Sequence, residues 1–220
     1  MKKPILAISA ITLGLFLSSP GILAHEAAPS PSATPGKTVV FLGDSLTAGF
    51  GLSPDEAYPA LIAEKIRAAH LPFAVQNAGL SGDTSAGALR RIDWLLQRPI
   101  DVLVIALGGN DGLRGQPVTA LKANLQAIID KTEAKNAAVK IVIAGMQIPP
   151  NLGPDYARDF EQIYAQVARE NHATLIPFLL EGVGGRRELN QVDQIHPNPA
   201  GQRIIADLVW RTLEPILRQR

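Results

Sequence analysis

Val39-Val40-Phe41-Leu42-Gly43-Asp44-Ser45-Leu46 is the stretch on which the fold turns. Its first four residues are apolar, mostly β-branched or aromatic, and read as a short buried strand. Gly-Asp-Ser ends the strand, and helix-compatible residues follow within a few positions. A serine just past a glycine, at the carboxyl end of a buried strand, is where an α/β fold exposes a nucleophile. Ser45 is therefore a candidate for attack on acyl carbonyls. The same Asp44-Ser45 pair also reads as a plain helix cap, a role both residue types fill often.

Four further strand candidates follow, each separated by room for a helix. Residues 73–77 lead into Ala78-Gly79-Leu80-Ser81-Gly82-Asp83. The strongest candidate is 101–107, whose unbroken apolar run implies cover on both faces, as in a parallel sheet. It ends in Gly108-Gly109-Asn110-Asp111-Gly112. Residues 139–144 and Thr174–Ile176 complete the set.

Between them lie helical periodicities. Leu61, Ile62, Ile66 and Ala69 share one face up to about His70. Leu89, Ile92, Leu95 and Leu96 follow an Asp83 or Thr84 cap. Val118, Leu121, Leu125, Ile128 and Ile129 follow Pro117. Tyr156, Phe160, Ile163, Tyr164 and Val167 point inward within 155–171. Ile204, Ile205, Leu208, Val209 and Leu213 follow an Asn198 cap and Pro199. This alternation predicts an α/β fold: a five-stranded, parallel, doubly wound sheet in a three-layer α/β/α sandwich. Such sheets carry their sites outside the carboxyl ends of the strands. Ser45, Gly82 and Asn110 follow the first three strands there, and Asp193 and His196 lie on the approach to the last helix.

Composition narrows the setting. Met1-Lys2-Lys3, a short apolar run and Ser18-Ser19-Pro20-Gly21 make 1–24 a secretory signal peptide, with Ser19/Gly21 and Ile22/Ala24 both usable for cleavage. The apolar run is shorter than the roughly 20 residues a membrane span needs. Residues 25–36 have the Pro/Ala/Ser composition of a linker, and 37–220 has the length of one domain. The protein is thus expected to be exported, periplasmic or secreted, without stable membrane insertion after processing. The sequence holds 21 Lys and Arg against 20 Asp and Glu; without Lys2 and Lys3 the balance is 19 to 20. That excludes the basic excess expected of a nucleic-acid partner. With no Cys, disulfides and lipidated cysteine are excluded as well.

A serine hydroxyl is a weak nucleophile until a base takes its proton. Of the four histidines, His25 is in the linker, and His70 and His172 fall at polar helix ends. His196 alone sits in a Pro/Asn loop with a carboxylate, Asp193, three residues earlier. Asp193 can fix the imidazole tautomer and leave the other ring nitrogen for Ser45; a tight turn before a helix would use the same two residues. Oxyanion stabilisation needs donors as well. The backbone N–H groups of Ser45 and Gly82 and the side-chain amide of Asn110 are candidates, although Gly-Gly-Asn-Asp is also ordinary turn composition.

Competing motifs fail. Gly36-Lys37-Thr38 lacks the first P-loop glycine, Gly182-Val183-Gly184-Gly185 lacks dinucleotide spacing, and no G-x-S-x-G elbow is present. No Cys/His cluster suits zinc. Neither a metal nor a cofactor is expected.

Gly43-Asp44-Ser45-Leu46, Ser81-Gly82-Asp83, Gly108-Gly109-Asn110-Asp111 and Asp193-x-x-His196-Pro197 resemble the four blocks of the SGNH (GDSL) hydrolases, in the right order. Residues 77–85 and 108–115 resemble in particular the exported bacterial thioesterase / lysophospholipase / arylesterase group. The resemblance implies a flavodoxin-like fold, Ser45 as nucleophile, His196 as base and Asp193 as its orienter. It implies Ser45, Gly82 and Asn110 as the oxyanion hole, and a monomer acting on small acyl esters, thioesters and lysophospholipids without a cofactor. A carbohydrate O-acetyl esterase or a non-catalytic binding module on the same fold are the alternatives. One departure is Gln194, where that group usually has Gly before Ile-His-Pro. Loops 79–85, 112–116 and 146–154 are expected to set acyl-chain preference.

Overall fold

Strand β1 (Lys37–Gly43) runs near the middle of a parallel sheet whose order is β2-β1-β3-β4-β5, with β2 at Phe73–Gly79, β3 at Val102–Ala106, β4 at Lys140–Ala144 and β5 at Thr174–Ile176. The computed structural model describes residues 36–219. The signal-peptide reading of 1–24 and all but the last residue of the 25–36 linker lie outside them. Val39, Val40, Phe41 and Leu42 are buried, as are all five residues of β3. Burying each such aliphatic side chain contributes roughly 1.5–3 kcal/mol, which explains why these runs form the centre of the sheet.

Seven helices cover the sheet among the described residues: α1 (Ser45–Ala48), α2 (Tyr58–Ala68), α3 (Ser85–Leu95), α4 (Gly109–Leu113), α5 (Val118–Lys135), α6 (Pro154–Glu170) and α7 (Pro199–Leu217). α2 packs with α7, while α3 packs with α5 and α5 with α6, giving a helical layer on each side. The order is the flavodoxin-like one, with the chain reversing direction of growth beside β1. Gly43 pairs in register with Gly79 on one side and Ala106 on the other. The ends of β1, β2 and β3 are therefore level, and the segments that follow them emerge at one crevice. No described helix is long and apolar enough to cross a membrane.

Two local readings change. Residues 109–113 form a short helix rather than a turn. Its N-cap, Gly108, has φ 114°, and a Cβ there would collide with the Tyr164 hydroxyl. Asp111 bonds the backbone N–H and hydroxyl of Ser85, fastening this helix to the start of α3. Tertiary contacts thus override the poor helix propensity of two glycines in five residues. Ile204, expected inward, is 36% exposed on the flank of α7; Ile205 and Val209 face the core instead. Between Ala48 and Tyr58 only a single 3-10 turn forms, at Pro54–Glu56.

Candidate active site

The Asp44 side chain makes the turn after β1. One carboxylate oxygen accepts the Leu46 N–H at 3.0 Å, capping α1 and presenting Ser45 at its first position. The capping role falls to Asp44 alone, which leaves the Ser45 side chain free to face the crevice. Ser45 Oγ lies 2.9 Å from His196 Nε2, and His196 Nδ1 lies 2.7 Å from Asp193 Oδ2. An ionised carboxylate only accepts, so Nδ1 carries the ring proton and Nε2 is the acceptor for the Ser45 hydroxyl.

The loop that presents His196 is built by its own polar groups. Asp193 Oδ1 accepts the N–H groups of Ile195 and His196 at 2.9 and 3.0 Å, an Asx-type turn. The bond from the His196 backbone foremost, then that from its ring and that from the Ile195 N–H, hold the Asp193 carboxyl down at a pKa of about 2. Gln194 takes a left-handed conformation, φ 60°, which explains why glycine suits this place. The cost for a residue with a Cβ is roughly 1–2 kcal/mol, and the Gln194 amide offsets part of it by donating to Gln191 O at 2.9 Å. His70 and His172 are exposed, left-handed residues just past α2 and α6 and take no part.

Asn110 opens onto the same crevice from α4. Its Nδ2 donates to Asp83 O at 2.9 Å and reaches Asp44 Oδ2 only at 3.5 Å. One N–H is committed; the other has a partner at the limit of hydrogen bonding and is available to an incoming oxygen. Gly82 adopts φ 79°, and a Cβ there would meet nothing nearer than the Arg114 guanidinium at 4.0 Å, so the glycine serves backbone conformation rather than space. Among the described residues, neither the Ser45 nor the Gly82 N–H donates to a turn carbonyl or a side chain.

A cavity of about 450 Å³ adjoins Ser45, Asn110 and His196. Leu46, Leu113, Met146, Ile148, Pro149 and Leu180 supply apolar walls. Loop 146–154 contributes as expected from the sequence, but no residue of 79–85 lines the cavity. The wall from Phe178, Leu180, Gly184 and Gly185 was not foreseen. A Gly-rich stretch between β5 and the His196 loop was its only sequence signal. Also unforeseen is Phe50, whose half-exposed ring lies 4.5 Å from that of His196, centroid to centroid. Gln191 ties the two loops by donating to Phe50 O at 2.6 Å.

Burial dominates the electrostatics of Asp44. It raises the carboxyl from 3.8 to about 6 against the opposing pull of the Leu46 bond and of His196. A raised carboxyl costs nothing below pH about 4 and its full penalty, about 3 kcal/mol, above about 6. Asn at 44 keeps the cap without the charge. Asp44→Asn is therefore expected to gain stability over the parent at pH 7.5 and to keep only about a third of that advantage at pH 4.5. Urea midpoints at the two values decide it; the same difference at both would refute the electrostatic account.

The GDSL-like Lipase/Acylhydrolase family model matches residues 41–204, from the end of β1 through the crevice loops to the start of α7. The chain belongs to the GDSL-like lipase/acylhydrolase family. As a member of that family it is a carboxylic ester hydrolase, in agreement with the expectation from its four sequence blocks. It is 42% identical to "Esterase TesA" of Pseudomonas aeruginosa, over 82% of this chain and 90% of that protein. It is 38% identical to "Thioesterase 1/protease 1/lysophospholipase L1" of Escherichia coli K12, over 82% of this chain and 85% of that protein. Among solved structures, the psychrotrophic esterase EstA from Pseudoalteromonas sp., inhibited by monoethylphosphonate, superposes with a TM-score of 0.78. It is 36% identical and covers 83% of this chain and 100% of its own.

Proposed function

We propose that this acylhydrolase cleaves aryl and short-to-medium acyl esters, with acyl-CoA thioesters and lysophospholipids as overlapping substrates, through an acyl-enzyme on Ser45. The Asp193–His196–Ser45 chain of hydrogen bonds, at 2.7 and 2.9 Å beside an apolar cavity, carries the reading. His196 Nε2 takes the Ser45 proton as Oγ bonds the carbonyl carbon. The resulting oxyanion is met by the N–H groups of Ser45 and Gly82 and by Asn110 Nδ2. Collapse expels the alkoxide or thiolate, which receives the proton from Nε2. Water then attacks the acyl-enzyme with His196 again as base, releasing the acid and restoring Ser45.

The cavity walls favour the acyl chain over a sugar: aliphatic side chains dominate, and Phe178 is the one Phe, Tyr or Trp among the lining residues. Export through residues 1–24, a periplasmic or secreted location and a monomeric state complete the proposal. N-terminal sequencing of the secreted or periplasmic form checks the processing; a protein retained in the cytoplasm with residues 1–24 intact would defeat it.

The direct test is one hydrolysis profile across p-nitrophenyl esters, acyl-CoAs and lysophospholipids of graded chain length. Turnover of acetylated sugars but not of butyryl or longer esters would overturn the substrate reading. Asn110→Ala is expected to lower kcat about 10²–10³-fold with little change in KM, the scale of one lost oxyanion donor. A loss below tenfold would remove Asn110 from the hole.

A further inference from the structure

The proposed oxyanion donors sit on three separate segments, after β1, β2 and β3, and such a hole works only when they are fixed to about 0.5 Å. One side chain outside the proposed catalytic set holds these segments to one another. Arg91, on α3, donates through Nε to Asp83 Oδ2 at 2.7 Å and through a terminal nitrogen to Gly43 O at 3.1 Å. Gly43 ends β1 just before Asp44 and Ser45. Asp83 follows Gly82, and its backbone carbonyl is the group that accepts Asn110 Nδ2 at 2.9 Å. The Gly43 carbonyl also accepts the Leu80 N–H at 3.0 Å, drawing the Gly82 loop toward the end of β1.

The ion pair is largely withdrawn from water, with side-chain exposures of 23% for Arg91 and 6% for Asp83. Screening by salt is correspondingly weak, and charge-assisted bonds are about twice as strong as neutral ones. Gly87 makes room for it: a Cβ there would collide with the Asp83 carboxylate.

We propose that Arg91 is a positioning residue for the oxyanion hole, setting the Ser45, Gly82 and Asn110 donors relative to one another through Gly43 and Asp83. The proposal rests on the oxyanion reading given above. Its geometry calls for arginine, because a planar fork can reach a carboxylate and a carbonyl at once, whereas an ammonium is a single point charge.

Arg91→Met is expected to lower kcat for p-nitrophenyl butyrate about 10–100-fold with KM changed by less than about threefold, the scale of a small misplacement at the reacting centre. In an Asn110→Ala background the same substitution should cost only about threefold, because the donor it helps to place is already gone. Arg91→Lys, which keeps a charge on Asp83 but not both bonds, should fall between. A structural role alone would lower the melting temperature and leave kcat within twofold, which would overturn the proposal. An equal Arg91→Met loss in both backgrounds would overturn it too, while leaving the oxyanion reading intact. Full activity of Asn110→Ala by itself would bring down both. Should Arg91→Met fail to fold, Arg91→Lys in the two backgrounds reads the same coupling.

Discussion

Ser45→Ala is expected to lower kcat for any ester substrate about 10⁴–10⁶-fold, the scale seen when the nucleophile of a coupled triad is removed. The geometry makes the effect specific. Ser45 Oγ is bonded to His196 Nε2 alone, and the cap of α1 belongs to Asp44. Alanine at the first helical position therefore loses one partly buried hydrogen bond, worth about 1 kcal/mol. In a domain of this length that moves the melting temperature by roughly 2–4 °C. Steady-state hydrolysis of p-nitrophenyl butyrate and a thermal scan on the same sample check both halves. Activity within tenfold of the parent would end the acyl-enzyme mechanism; a collapsed melting temperature would leave the activity loss without mechanistic meaning, and Ser45→Gly would then be read instead.

Asp193→Asn is the second large effect, a fall in kcat of about 10²–10⁴-fold. Asparagine can keep its Oδ1 on the Ile195 and His196 N–H groups, so the turn survives. Its Nδ2 then faces His196 Nδ1, donor toward the atom that must itself donate. The imidazole answers by moving its proton to Nε2, where it meets the Ser45 hydroxyl as a donor instead of a base. The ceiling of the range is what a fully buried orienter gives; the Asp193 side chain is 38% exposed, and water can take part of its place. Loss of less than tenfold would mean that Asp193 holds the turn and little else. The pH dependence has a definite sign. Because the folded carboxyl is held near 2, its stabilising contribution is present above about pH 4 and is lost only as pH falls toward 2. Asp193 therefore stays ionised through the whole working range, and an acid limb near neutrality does not arise from it.

Arg91, Phe50 and the Phe178–Gly185 wall mark where sequence reading stopped. Each acts by contact with residues far away in the chain, and none differs in type or spacing from ordinary helix, turn or loop residues. Arg91 sits among helix-forming residues; only the register of Gly43 with Gly79 brings Asp83 and the end of β1 within its reach. Phe50 in Gly49-Phe50-Gly51 looks like a turn residue until the Gln191 amide draws its loop onto His196. The 109–113 helix was missed for a related reason: its glycines argue against helix, and the Asp111–Ser85 bonds that secure it cross from α4 to α3.

Local pattern was sufficient for the rest. Unbroken β-branched runs alternating with amphipathic periodicity specify a parallel sheet covered on both sides, because only that arrangement buries those runs completely. The four short blocks around Ser45, Gly82, Asn110 and His196 specify the family, since turn chemistry and reacting groups are encoded within a few residues of each other. The sequence by itself thus determined the fold, the family and the candidate reacting groups. Only the tertiary structure decided how far apart those groups stand, which carboxylate is forced upward by burial, what walls the cavity beside them and which cation ties the crevice together. Those are properties of packing between distant segments, set by strand register and burial, and no local run of residues contains them.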